Sequence, residues 1–275
     1  MHLNRWLTSI ILLPLVVFLI VKGGLSFFIL ISIVCLLSLW EYFSILFRKW
    51  GKKHLVIYIG LILGFLIIWA ADLGNLSLML LLFSFNLLSC AAISVVLSKP
   101  DSPLIDCVSR QVQGLIYIAL FLGFLVLLRH QESGATWILL ILCVIFGGDT
   151  GAYYVGTYFG KHKLIPRISP GKTVEGALGG LAANAIVGGL INYFLPLLPW
   201  GLYMQRLPWG WAILFFIVMG VAGQLGDLFE SQFKRAADIK DSGKLLPGHG
   251  GMLDRIDALL FAAPVAYFFK MTVFQ

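Results

Sequence analysis

The chain has 275 residues, 60 % of them hydrophobic and only 12 % charged, and a mean hydropathy of +0.94 excludes a soluble domain. The formal net charge of +7 fits cytoplasmic loops beside anionic lipid, and no basic stripe interleaved with aromatics marks a nucleic-acid surface. Cys35, Cys90, Cys107 and Cys143 stand far apart without metal-ligand spacing, so they read as apolar fillers rather than a disulfide framework or a zinc site.

A bilayer core is crossed by about 20 apolar residues in helical form. On that ruler the sequence predicts an all-α polytopic membrane protein of about nine spans: 6–21, 25–46, 55–73, 77–97, 114–129, 136–157, 176–196, 208–228 and 256–273. The first follows a basic start, as in a secretory signal, but Lys22 and the lack of an A-x-A site argue for a retained helix. No repeat, low-complexity tract or long hydrophilic segment interrupts the series, so a single domain is expected, with N-terminal helices over 1–130 and catalytic helices and loops over 136–275. All but four of the twenty Lys and Arg residues fall on one side of this topology; the exceptions are Lys22, Arg129, Arg206 and Lys270. The positive-inside rule therefore predicts a cytoplasmic N-terminus and cytoplasmic charged loops. On the other side Trp200, Tyr203, Trp209 and Trp211 read as an interfacial aromatic belt.

Of thirteen Asp and Glu, eight lie between residues 149 and 257, several of them within or beside the last four spans. A carboxylate in or near the membrane is costly and marks a functional site by default. In the stretch GGDTGAYYVGTYFG, Asp149, Ala152, Gly156 and Gly160 recur at helical spacing, predicting a small-residue face for close helix packing, with Asp149 turned to the bundle. In SPGKTVEG, Ser169 before Pro170 reads as an N-cap, placing Lys172 and Thr173 in the first turn of a helix whose N-terminus attracts anions. The bland reading is a capped helix with a Lys172–Glu175 pair. A Walker loop is excluded, because Pro166 stands where its first glycine would be.

If the eighth span continues as a helix, Asp227, Glu230, Ser231 and Lys234 share one face. Asp254 and Asp257 open the ninth span at i, i+3, and the loop returns this second carboxylate pair to the same membrane surface. Oxygen-only ligands suit Mg²⁺, which keeps its waters and pairs with substrate phosphates. Between the two pairs, LPGHGG offers backbone N–H groups to an anion near Lys234, Arg235, Lys240 and Lys244.

The run from Ser231 to Asp257, S-x-F-K-R-x4-K-D-x-G-x3-P-G-H-G-G-x-x-D-R-x-D, resembles the signature of the phosphatidate cytidylyltransferases, the CDP-diacylglycerol synthases. The upstream D-T-G-A-Y and S-P-x-K-T-x-E-G are similar to that family as well, with Gly171 and Val174 departing from its usual basic and aromatic residues. The resemblance implies the reaction of CTP with phosphatidate to give CDP-diacylglycerol and pyrophosphate, in the cell membrane, by a homodimer. It implies catalytic roles for Asp227, Lys234, Arg235 and Asp254. Mg²⁺ would rest on Asp227 and Asp254, with Asp149 and Asp257 as a second shell or second cation site. Substrate contacts would come from Ser169, Lys172, Thr173, Ser231, Lys240, Asp241, Gly248, His249, Gly250 and Arg255. Two other classes fit less well: a CTP-dependent kinase or cytidylyltransferase acting on another lipid, and a cation-coupled transporter, whose paired inverted repeats the sequence lacks.

Overall fold

The computed structural model describes residues 2–47, 55–97, 104–194, 205–243 and 250–274. Among these, helices α1 (His2–Lys22), α2 (Gly24–Leu46), α3 (Leu55–Asp72) and α4 (Leu76–Leu97) are followed by α5 (Leu104–Gly114). The last runs through a π-helical segment, Leu115–Leu120, into α6 (Phe121–Arg129). Then come α7 (Gly134–Phe159), a hairpin of β1 (Lys163–Ile165) and β2 (Ser169–Thr173), and helices α8 (Val174–Phe194), α9 (Trp209–Ala236) and α10 (Leu253–Thr272). Among the described residues seven helices are long and apolar enough to cross a bilayer: α2, α3, α4, the 106–129 rod, α7, α8 and α9. α1 and α10 coincide with the other two expected spans without meeting that measure over the described residues. The protein is an all-α polytopic membrane protein.

The rod through α5 and α6 begins about ten residues before the span expected at 114–129, because its polar residues find partners rather than water. Gln111 and Asn86 exchange amide hydrogen bonds of 2.7 and 3.0 Å, both side chains fully buried. Arg110 donates to the Leu46 carbonyl at 3.3 Å, and the Tyr42 hydroxyl to the Arg110 carbonyl at 3.1 Å. In apolar surroundings unpaired amides would be costly, so reciprocal pairing lets them lie inside the bundle.

The chain divides into two compact units, one of Met1–Leu127 with Ala236–Arg255, the other of Leu128–Arg235 with Ile256–Gln275. In the first, α1 and α2 meet at Gly23 and Gly24, whose φ values of +67° and +52° only glycine adopts freely. Rings of α2 lie against glycines of its neighbours: Tyr42 against Gly114 and Phe43 against Gly60. Leu80, Leu81, Leu88, Val95 and Val96 of α4 remain exposed, the outward apolar surface of a lipid-facing helix.

The second unit is built on α7 against α8. Gly148 faces Asn184, Gly151 faces Ala183 and Gly179 faces Val155, each leaving no room for a methyl group. Such small-residue faces let backbones approach closely where lipid gives no hydrophobic drive. Gly188 receives the Phe216 ring of α9 in the same way, and Gly226 of α9 abuts the Asp257 carbonyl of α10. An aromatic cluster of Trp137, Phe215, Phe269 and Phe274 closes the core.

Candidate functional site

The small-residue face expected along α7 is present: Gly156 lies against Thr173 and Gly176, and Ala152 against Gly176 and Gly180. It fixes where β2 and the start of α8 pass. The expected cap at Ser169 is overturned. Residues 169–173 form a strand paired antiparallel with β1, with Lys163 opposite Thr173 and Ile165 opposite Ser169. The cap of α8 is Thr173, whose Oγ1 accepts the Gly176 N–H at 3.1 Å. Pro170 tolerates the edge of a two-stranded ribbon as readily as a helix start, and the turn after β1 holds 169–173 extended. Glu175 does not pair with Lys172. Its carboxylate accepts the N–H groups of Lys161 at 3.0 Å and His162 at 3.1 Å, and it lies 2.6 Å from His162 Nδ1, closing the base of the hairpin.

Lys172 is thereby released toward α9, where its Nζ stands 2.6 Å from Asp227 Oδ2, both side chains about a third exposed. The continuation of α9 beyond the expected end of the span is real, and it carries Asp227, Glu230, Ser231 and Lys234 together. Ser231 Oγ donates to Asp227 Oδ1 at 3.4 Å. The negative charge of Asp227 acts on both Asp149 of α7 and Asp257 of α10. Asp149 also feels Lys172, and although turned to these charges it keeps an exposed surface. Asp257 also feels Lys234. One turn along α9, the ammonium of Lys234 pairs with the fully buried Glu230. Arg235, at the end of α9, donates from Nε to the Ile168 carbonyl at 3.1 Å, tying the helix to the hairpin turn. Asp149, Asp227, Glu230 and Asp257 thus share one locality with Lys172 and Lys234, drawn from α7, β2, α9 and α10.

Asp254 occupies a different local setting. Its Oδ2 accepts the N–H of Ser242 and of Gly251 and contacts the Ser242 hydroxyl, each at 2.9 Å. Gly250 takes φ +83°, a conformation reserved for glycine, and a methyl group there would press on Asp254 Oδ2. Asp254 and Asp257 lie one turn apart on α10. Lys240, Asp241 and Arg255 are exposed. Gly248 and His249 lie outside the described residues, as do Lys244, Trp200 and Tyr203.

Two acids escaped the sequence reading. Glu230 sat in the expected stripe but had no role there; its burial against Lys234 is a tertiary fact. Glu41 of α2, 7 % exposed, accepts the N–H of Met252 at 3.0 Å, the N–H of Leu253 at 2.9 Å and the hydroxyl of Ser242 at 3.0 Å. Its signal was available, since it is the one acid within the expected second span.

Among the described residues no group of three or more His, Cys, Asp or Glu is disposed as a ready metal cage. Mg²⁺ does not require one: it is held by one or two carboxylates together with waters and substrate phosphates. Asp149, Asp227 and Asp257 supply the oxygen donors that ion takes, and Lys172 stands on Asp227 where a cation would have to displace it.

The sequence pattern of the cytidylyltransferase family matches residues 3–273. The chain is 36 % identical over 272 residues to a phosphatidate cytidylyltransferase of Bacillus subtilis, covering 96 % of each chain. It is 37 % identical over 270 residues to that of Staphylococcus saprophyticus, covering 95 % of this chain and 96 % of the relative. Against the phosphatidate cytidylyltransferase of Staphylococcus aureus it is 35 % identical over 264 residues, with the same coverage.

Proposed function

The chain belongs to the cytidylyltransferase family, and we infer that it is a multi-pass membrane enzyme joining CTP to phosphatidate. A phosphate oxygen of phosphatidate attacks the α-phosphorus of CTP. The bond from that phosphorus to the oxygen bridging to the β-phosphate breaks, CDP-diacylglycerol forms, and pyrophosphate leaves. The nucleophile is already an anion near neutral pH, so no strong general base is called for. The obstacle is the approach of two anions, and the remedy is positioning with charge neutralisation.

The observation that carries this reading is the gathering of Lys172 and Lys234 with Asp149, Asp227 and Asp257 from four separate elements, with Arg235 tied to the adjoining hairpin turn. We assign Lys172 to a phosphate, since its ion pair with Asp227 can be exchanged for a phosphoryl oxygen. Lys234, Arg235 and Lys240 serve the triphosphate together with Ser231, Asp241, Arg255 and the amides of Gly248, His249 and Gly250. Ser169 and Thr173 set the strand that presents Lys172. Asp227 and Asp254 would hold Mg²⁺, with Asp257 and Asp149 as a second shell or second cation site. When bound, that ion neutralises developing charge at the α-phosphate and on departing pyrophosphate. The acyl chains stay in the bilayer. The site opens to the cytoplasm, where CTP is, and the enzyme acts as a homodimer.

The test is purified protein in lipid vesicles with CTP, Mg²⁺ and phosphatidate. CDP-diacylglycerol and pyrophosphate are expected in equal amounts, with EDTA abolishing both. Turnover of a polyprenyl phosphate or an archaeal-type lipid in place of phosphatidate would reassign the acceptor.

A further inference from the structure

The second span carries a single acid, Glu41, which hydropathy alone would exclude from a membrane helix. α2 delivers it, almost fully buried, to the start of α10, where each of its carboxylate oxygens is engaged. Oε1 accepts from Met252 N, and Oε2 from Leu253 N and the Ser242 hydroxyl. The Met252 side chain has no oxygen with which to cap α10, so an acid from a distant helix satisfies the free N–H groups and the helix dipole. The backbone at both of these points is shaped to receive it: a methyl group on Gly243 or Gly251 would run into the Glu41 carboxylate.

The Ser242 hydroxyl lies 3.0 Å from Glu41 Oε2 and 2.9 Å from Asp254 Oδ2. It has one proton and donates to one carboxylate at a time. With Glu41 as the alternative acceptor, Asp254 can give up this contact and turn to a substrate or its cation without leaving a buried hydroxyl unpaired. We propose that Glu41 is a positioning residue of the transfer reaction: it clamps Ser242 to the α10 N-terminus at Met252 and Leu253, and so sets the carboxylate of Asp254. The proposal rests on the cytidylyl-transfer reading and on the role given there to Asp254. It also gives the N-terminal helices a part in catalysis beyond anchorage.

Glu41→Gln offers one acceptor and one donor where two acceptors are needed, and Ser242→Ala removes the shared hydroxyl. Each is expected to lower kcat by about 10- to 100-fold, the scale of a small misplacement in an active site, with the KM for phosphatidate unchanged. The double variant should be no worse than Glu41→Gln alone, because one relay is broken twice. Amide hydrogen exchange at Met252 and Leu253 should quicken in Glu41→Gln, a readout independent of turnover. If Glu41→Gln does not accumulate in the membrane, Ser242→Ala alone decides, since it leaves both amide contacts of Glu41 intact. Wild-type kcat in Ser242→Ala, additive losses in the double variant, or unchanged exchange at the two amides would overturn the proposal. A wild-type enzyme inactive on phosphatidate and CTP would instead overturn the assigned reaction, leaving the exchange measurement to judge the clamp.

Discussion

The ammonium of Lys234 lies against the buried carboxylate of Glu230, so its removal strands a charge as well as taking away the phosphate contact proposed for it. Breaking such a pair costs about 3–5 kcal/mol. Lys234→Met should therefore lower both the thermal midpoint and kcat. Lys234→Met with Glu230→Gln should recover the midpoint and leave kcat low, which thermal unfolding and turnover measured together will separate. Recovery of kcat in the double variant would make Lys234 a structural residue only. Arg235 and Lys172 carry no buried partner of that kind. Arg235→Ala and Lys172→Met are expected to lose about 2–4 kcal/mol of transition-state stabilisation, roughly 30- to 1,000-fold in kcat/KM, with the fold unchanged. Lys22→Ala, at the end of α1, should behave as wild type. Asp227→Asn should lose as much as Lys172→Met, and the two combined should be little worse than either, since they act as a pair. Full turnover in both single variants would remove the pair from the site.

At the scale of elements, the hairpin and the α7–α8 crossing decide where these charges stand. Gly179 lies against Val155 with no space between the helices. Gly179→Leu must force them apart, costing at least the ~1–3 kcal/mol of an overpacked core and moving β2 with α8. Poor accumulation in the membrane, or an intact protein with little activity, is expected in expression and turnover assays; wild-type behaviour in both would show that close packing here is dispensable. Gly171 gives the opposite expectation. It departs from the family pattern, yet open space surrounds it in β2, so Gly171→Lys should keep the fold and the activity. The departure therefore leaves the strand intact, and Thr173, not Ser169, begins α8. Local sequence misplaced that cap because Ser-Pro opens a helix and a strand edge equally well. The pairing of Lys163 with Thr173 chose between them.

For the molecule as a whole, orientation in the membrane is the test of the charge asymmetry. Lys240 is exposed, so a cysteine placed there in a cysteine-free background is open to reagents on its own side. With a cytoplasmic loop, Lys240→Cys should resist a membrane-impermeant thiol reagent in intact cells, while Gln205→Cys, exposed on the other side of the expected topology, should react. Ready labelling at 240 would reverse the orientation. Composition and hydropathy by themselves determined that the chain is a helical membrane protein, because a bilayer admits few ways to satisfy a backbone. The run from Ser231 to Asp257, with its upstream motifs, was specific enough to point to the family. The partners of the charged residues that lie far apart in the chain were decided by tertiary structure alone, whereas Lys234 and Glu230, four residues apart on α9, could be paired from helical spacing. Lys172 turns to Asp227 rather than to Glu175, and Glu41 reaches Ser242, some 200 residues further along the chain. Such pairings depend on which helices touch and at what distance. A local pattern of apolar and polar residues records which face of a helix is buried, but not which charge stands opposite it.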